Sequence, residues 1–352
     1  KQTVLALMRG KYEGFGPTLA QEKLKELESL VISKETIRKW MIESHLWIPR
    51  KTRRKVHASR KRRPCFGELL QTDGSFDYWL GEDQPKVNAT VVIDDATSRI
   101  TSIVFSEQET LAAYYQAFRQ HMEKHGRPRA FYTDRYAVFQ AHNKVGSTHM
   151  QRSLKSLDIE LILANSPQAK GRVERANRTL QDRLIKEFRL RGIKTIEEAN
   201  LFMPEFLREY NHKFSKKPMS EVDAHRPLEG FDLSRLLSPK ESRTLLVGSI
   251  FQYRNTFYKV QMPSNVLQAK GVKVEVLQGE DGDVRVFYRD QELSVRNTED
   301  IAMPPLEMNR KEVLEWKEDK RKKPKNRSFP WKNFNIGSKY KKSRKNQTCY
   351  NG

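Results

Sequence analysis

Between residues 65 and 230 five short apolar runs alternate with helical patterns, and that order narrows the possible folds more than any other feature of the chain. The runs are 68–75, 87–94, 100–105, 129–133 and 159–163. The first three follow closely, with turn residues Asp94-Asp95-Ala96-Thr97-Ser98 between the second and third, and predict an antiparallel meander. Helical patterns follow over 109–125 (stopping before Gly126), near 148–157, from about 168 to 190 and over 195–212, with a loop at 136–147. The order βββαβαβα predicts an α/β domain in which the first and fourth strands can be neighbours.

The flanks differ in kind. Residues 1–48 read as helical: Pro17 opens one helix with Thr18 as its cap, and Leu19, Leu24, Leu27 and Leu30 suit its apolar face. Ser33 caps a second, basic helix. The pair fits a helix-turn-helix whose second helix enters a major groove, and fits equally a helical hairpin used only for packing. Residues 49–64 form a basic linker without apolar periodicity; Arg53, Arg54, Arg62 and Arg63 within it are candidate phosphate contacts. Residues 240–303 carry period-two runs and predict a small antiparallel β-barrel or sandwich. Residues 304–352 are polar and basic and read as a disordered tail, with a short helical signal at 309–320 and Trp331 as an anchor.

Charge limits the partners. The 352 residues suit two or three domains, and the net charge of +22 attracts polyanions. No apolar run approaches the ~18 residues that span a bilayer, and the front has no secretory signal pattern, so DNA or RNA is favoured over a membrane. The two cysteines, Cys65 and Cys349, offer neither a disulfide framework nor zinc spacing, which fits a reducing, cytoplasmic setting beside the nucleoid. The chain opens at Lys1 within a helical pattern, and a preceding segment is expected.

Three acids stand out. Asp73 and Asp134 end apolar runs, and Glu174 lies in the first turn of the long helix opened by Ser166-Pro167-Gln168-Ala169-Lys170-Gly171. Each alone suits an ordinary turn or helix start. Jointly, two strand ends and one helix can bring three carboxylates to one point. Oxygen-only donors select hard cations, Mg²⁺ or in its place Mn²⁺, and two such ions can clamp the attacking and leaving oxygens of a phosphodiester displacement. Asp73 would bridge both ions, with Asp134 and Glu174 holding one each. Asn177, Arg178 and Gln181 follow Glu174 at helical spacings and, with Lys170, Arg172 and Arg175, are candidate DNA contacts; the alternative is a solvated basic helix.

At these residues the chain resembles the DDE transposases of bacterial insertion sequences, with a retroviral-integrase-like, RNase H-like core. The resemblance rests on Gln71-Thr72-Asp73-Gly74, Tyr132-Thr133-Asp134-Arg135 and Asn165 through Asn177, supported by Tyr12 through Ala20 and by Asp223-Ala224-His225-Arg226-Pro227. It implies a multidomain protein: a helix-turn-helix-like domain (1–48), the basic linker (49–64), an RNase H-like catalytic core (65–230), a small SH3-like β-barrel (240–303) and a basic tail (304–352). It further implies a metal-dependent enzyme with Asp73, Asp134 and Glu174 as catalytic triad. Such an enzyme cleaves at the terminal inverted repeats of a transposon and joins the freed 3′-OH to target DNA, as a dimer or larger synaptic oligomer. Two departures stand out: the interval of 40 positions from Asp134 to Glu174 is longer than retroviral integrases use, and no His/Cys zinc module is present. Two rival readings are a DNA-binding repressor or architectural factor without catalysis, and an RNase H-type nuclease that joins nothing.

Overall fold

The computed structural model describes residues 1–49, 61–140, 146–164, 171–264, 266, 270–278, 283–289 and 291–297. Expectations for Arg53, Arg54, Lys170, part of the 136–147 loop, and the tail with its 309–320 helix and Trp331 lie outside these residues. The chain divides into two compact units, one of Lys1–Thr244 with Val272–Val295, the other of Leu245–Gly271 with the described residues from Arg296 onward.

In the first unit a five-stranded sheet holds β1 (Leu69–Asp77), β2 (Val87–Asp94), β3 (Ile100–Ser106), β4 (Ala130–Thr133) and β5 (Glu160–Leu163) in the order β3-β2-β1-β4-β5. The β1–β2–β3 meander is antiparallel, and β4 and β5 add in parallel. Every residue of β2 is buried, because helices cover both faces of the sheet. On one face Val87, Ala89, Val91 and Ile93 pack against α6 (Gly171–Arg191) and α7 (Ile196–Phe214). On the other, Leu70, Val92, Val104 and Phe131 pack against α4 (Leu111–His125) and α5 (His149–Ser156). The helix starts follow local chemistry: Thr110 caps α4, and Thr148 with Gln151 and Thr195 with Glu198 form capping boxes for α5 and α7. The expected succession of strands and helices is therefore present, with no end more than three residues from its expected place.

The segment Asp223-Ala224-His225-Arg226-Pro227 straps the end of this domain where β1 and β4 begin. Ala224 N donates to Phe66 O at 2.8 Å, and Arg226 and Arg127 exchange backbone bonds at 2.8 Å each. His225 sits with one ring nitrogen 2.6 Å from Asp223 Oδ1 and the other 3.2 Å from Nε2 of the fully buried His121. Gly67 is required beneath it: φ is +79°, and a Cβ there would lie 2.3 Å from His225 Nδ1.

At the N-terminus α1 (Gln2–Arg9), α2 (Pro17–Glu28) and α3 (Lys34–Glu43) share a small core of Tyr12, Phe15, Leu19, Leu24, Ile37 and Met41. Ser33 caps α3, its hydroxyl accepting from Thr36 N at 3.1 Å. Thr18 does not cap α2; Gly16 holds that place, because Pro17, with fixed φ and no N–H, suits the first helical position. Leu27 is 52% exposed and lies off the buried face, where Lys23 takes a place instead. Lys23 Nζ lies 2.5 Å from Glu187 Oε1 of α6, and Glu22 receives Arg183 through both oxygens at 2.8 and 2.9 Å. Lys213 of α7 reaches Glu22 and Glu26 at 3.1 and 3.0 Å. Thus α2 is docked to the core by charge as well as by apolar contact.

The expected closed barrel over 240–303 is not what the described residues form. After α8 (Leu233–Leu236), β6 (Lys240–Thr244), β9 (Lys273–Gln278), β10 (Val284–Tyr288) and β11 (Gln291–Leu293) make one open sheet in the order β11-β10-β9-β6. A second sheet holds β12 (Val295–Asn297), β8 (Thr256–Val260) and β7 (Ile250–Tyr253), in that order. The period-two runs identified the strands, but alternation does not say which strands pair. Both edges of β9 are taken by β6 and β10, so the β7–β8 hairpin builds a sheet of its own. Its turn, Arg254-Asn255, has φ of 46° and 66°, as a tight two-residue hairpin demands.

Candidate active site

The parallel register of β1 and β4 pairs Leu69 with Ala130, Leu70 with Phe131 and Gln71 with Tyr132. Continued by two residues, it sets Asp73 beside Asp134, just past the end of β4, with both on the face that carries Gln71 and Tyr132. Carboxyl ends of parallel strands are where open α/β sheets hold their ligands. Tyr114 of α4 reports the proximity of the two acids: burial, then Glu109, then Asp73 and Asp134 push its phenol well above the ordinary value. Both acids are half-buried, and Asp134 Oδ1 accepts from Tyr136 N at 3.1 Å.

Glu109 is a further acid at this end that sequence reasoning missed. Its carboxylate accepts from Tyr114 Oη at 2.5 Å. A Cβ on Gly74 would stand 2.6 Å from Glu109 Cδ and 2.9 Å from Asn88 Oδ1, so the glycine after Asp73 makes room for it. The room that Gly74 leaves is thus taken by the side chain of the residue just before the α4 cap. Nothing near Glu109 in sequence signals that it folds back on β1.

Helix α6 brings the third acid. Glu174 is exposed in the first turn. Asn177, one turn on, is 8% exposed and donates from Nδ2 to Asp73 Oδ2 at 3.4 Å; its Oδ1 is buried with no hydrogen-bond partner. Gln181 donates to Asp77 Oδ2 at 3.1 Å and to Ser75 Oγ at 3.4 Å. The face of α6 bearing 174, 177 and 181 therefore runs along β1. Among the described residues no three His, Cys, Asp or Glu side chains converge closely enough to hold a metal ion. Asp73 and Asp134 both act on Tyr114, and Glu174 lies one helical turn before Asn177, which bonds Asp73. The donor set suits a hard divalent cation: oxygen ligands only, with the orphaned Asn177 Oδ1 beside Asp73 as a further acceptor.

The candidate DNA contacts sort into two groups. Arg62 is turned into the protein, donating to Asp95 O, Ala96 O and Ser98 Oγ at 3.0, 3.1 and 2.8 Å. Arg172 is likewise internal, its side chain 13% exposed and 2.7 Å from the fully buried Asp95 carboxylate. Arg63 is half-exposed, with its backbone N bound to Asp95 Oδ2 at 2.8 Å. The carboxylate and carbonyl oxygens of the 94–98 turn draw these guanidinium and amide donors inward, while Asn177 and Gln181 are held by β1. Arg175 and Arg178 remain at the surface.

No family model matches the chain. It is 45% identical over 229 residues to y4bF of Sinorhizobium fredii (strain NBRC 101917 / NGR234), a transposase by name, covering 64% of this chain and 50% of that protein. It is 30% identical over 365 residues to the transposase for insertion sequence IS1202 of Streptococcus pneumoniae, covering 91% of this chain and 77% of that one. It thus spans half the length of the first relative and about three quarters of the second. Among solved structures it is similar to a simian T-cell lymphotropic virus intasome in complex with PP2A regulatory subunit B56 gamma (TM-score 0.36, 14% identity, 73% of this chain and 86% of that one). It is also similar to the HTLV-2 integrase catalytic core domain in complex with magnesium (TM-score 0.35, 19% identity, 47% of this chain and 100% of that one). Likenesses of that degree add nothing to the topology described above.

Proposed function

The chain belongs to the transposases of bacterial insertion sequences, and from that premise we propose that it is a DDE polynucleotidyl transferase that cleaves at transposon ends and joins the freed 3′-OH to target DNA. What supports the reading is the parallel register of β1 and β4, which directs Asp73, midway along β1, and Asp134, just past β4, toward one place, with the Asn177 face of α6 laid along β1.

In this reading Asp73, Asp134 and Glu174 hold two divalent ions, Mg²⁺ or Mn²⁺, which supply charge neutralisation at the scissile phosphate and activation of the attacking oxygen. The protein's own groups position the reaction. Asn177 fixes the orientation of the Asp73 carboxylate, and Gly74 admits Glu109, whose bond to Tyr114 holds the α4 side of the site. Arg175 and Arg178, exposed beside Glu174, neutralise backbone phosphates without reading bases. In-line displacement at phosphorus needs no covalent enzyme intermediate, so positioning and charge do the work. Helix α3, with Lys34 and Lys39 exposed, is the element offered to the major groove of the terminal inverted repeats. Two ends must be joined, so a dimer or larger synaptic assembly is part of the reading.

The test is strand transfer from a pre-cut end oligonucleotide into plasmid DNA with Mg²⁺. Asp73→Asn should abolish joining while duplex binding in EDTA persists. Joining by that variant at the unaltered rate would remove Asp73 from the mechanism. Metal-dependent joining by the unaltered protein also sets it apart from a DNA-binding factor and from a nuclease that only cuts hybrids.

A further inference from the structure

We propose that Asp95, through Gln71 and Arg172, is the positioning residue that holds Glu174 in place relative to Asp73; this rests on the reading of the three acids given above. Asp95 lies in the turn after β2 and is 0% exposed. One of its oxygens, Oδ1, accepts from Gln71 Nε2 at 2.8 Å and from Arg172 Nη1 at 2.7 Å. Gln71 stands two residues before Asp73 on β1, and Arg172 stands two residues before Glu174 on α6. A single carboxylate oxygen thus ties together the two segments that carry two of the acids. Gln71 closes the link from the other side, its Oε1 accepting from Val173 N, the residue before Glu174, at 3.3 Å. Asp95 is itself anchored to β1 by its backbone N to Leu69 O at 2.9 Å, and to the entering chain by Arg63 N to Oδ2 at 2.8 Å.

Physical chemistry favours a dedicated role over incidental packing. An arginine in the first turn of a helix faces the positive end of the helix dipole and is unfavourable there without a counter-charge. A carboxylate buried as deeply as Asp95 is costly unless it is paired and hydrogen-bonded. Each offsets the other in this geometry, so a shift of the first turn of α6 along β1 would pull the two charges apart. The Val173 amide, one of the donors that a helix start leaves without an intrahelical partner, is satisfied from the strand that carries Asp73. An exposed glutamate with no fixed support would wander among rotamers. Support of its backbone by Asp95 and Gln71 limits where its carboxylate can be, as partners behind a ligand do at metal centres.

The experiment uses the full chain with Asp95→Asn, which removes the buried charge itself, and with Arg172→Met as a second variant that acts from the helix side. Three quantities are read: the joining rate on a pre-cut end, the Mg²⁺ concentration giving half-maximal joining, and the Mg²⁺ concentration giving half of the metal-induced rise in melting temperature. The expected result for both variants is a joining rate lower by about 10–100-fold and both Mg²⁺ midpoints higher by about tenfold, with duplex binding in EDTA unchanged. Arg172→Lys, which keeps a cation on Asp95, should lose less than Arg172→Met. Unchanged Mg²⁺ midpoints in both variants would overturn the proposal, whether joining is normal or falls together with stability. Failure of the unaltered protein to join, or undiminished joining by Asp73→Asn, would instead sink the reading beneath it.

Discussion

The buried pair Lys23–Glu187 can be tested quantitatively. Its side chains are 6% and 10% exposed and lie 2.5 Å apart, linking α2 to α6. Removing one member of a buried pair costs about 3–5 kcal/mol when the other is left alone. Neither would be left alone here. Without Glu187, Lys23 keeps Glu26 at 2.8 Å; without Lys23, Glu187 keeps Arg191 at 4.0 Å. Glu26 is partly exposed and Arg191 is distant, so each recovers only part of the loss, and about 2–3 kcal/mol is expected for Lys23→Met or Glu187→Met. In a unit of this size that lowers the melting temperature by about 4–12 °C. The double variant replaces both charges by apolar side chains of similar length and should lie within about 1 kcal/mol of the unaltered protein. Thermal melts of the four proteins at equal ionic strength complete the cycle. A double variant as unstable as the sum of the two single losses would refute the reasoning, because no coupling between the two positions would then exist.

Gly74→Ala should destabilise by about 1–3 kcal/mol, because its Cβ would overlap the Glu109 carboxyl, and adding Glu109→Ala should recover most of that loss in thermal melts. Acid should loosen the 223–227 strap: burial, then His225 and His125, hold His121 well below its ordinary pKa, and burial, then His225, Lys124 and Arg99, lower His125 to about 4. A histidine with a depressed folded pKa contributes stability that is full above the unfolded value of about 6.5 and is lost as pH falls toward 4, so His121→Leu should flatten melting temperature against pH across that window. Neutralising Arg175 and Arg178 together should weaken duplex binding across sequences and lower the slope of log affinity against log salt by about two; an unchanged slope would remove them from the DNA interface.

The sheet was legible in the sequence because burial on both faces wrote β2 as a run of apolar residues, and because three closely spaced runs leave little choice but a meander. Helix limits were legible where caps and stops are local: Ser33, and Gly126 after α4. The side-chain partners were not legible. Arg172 and Arg62 read as phosphate contacts because a basic residue carries no mark of a partner 77 or 33 positions away. Glu109 was missed for the same reason: its importance comes from Gly74, which it meets only after α4 packs. The closed barrel failed for a reason of pairing: alternation gives the faces of a strand and says nothing of its neighbours. The Asp-Ala-His-Arg-Pro segment stood out from the start, yet its service as a strap depends on His121, a residue with no sequence signal of its own.

Helix α6 joins these observations. Its inward stripe of Val173, Ala176, Leu180, Leu184 and Phe188 packs on the sheet. Early in the helix, one flank of that stripe carries Glu174, Asn177 and Gln181 along β1. Later, the other flank carries Arg183 and Glu187 to α2. At 3.6 residues per turn Arg183 lies about 180° around the helix from Glu174. The same 21-residue rod, about 30 Å long, is therefore gripped at one end by Asp95 and Gln71 and at the other by the charges of α2. The two grips, on Arg172 and Arg183, lie about 16 Å apart along the rod and resist sliding, which the apolar stripe alone resists less well than rotation. Because α2 and α3 share one small core, whatever α3 contacts is then held at a set distance from Glu174 by covalent geometry and two buried ion pairs. Weakening the α2 grip, as in Glu187→Met, should for that reason alter how α3 is presented without moving the first turn of α6, which Asp95 retains.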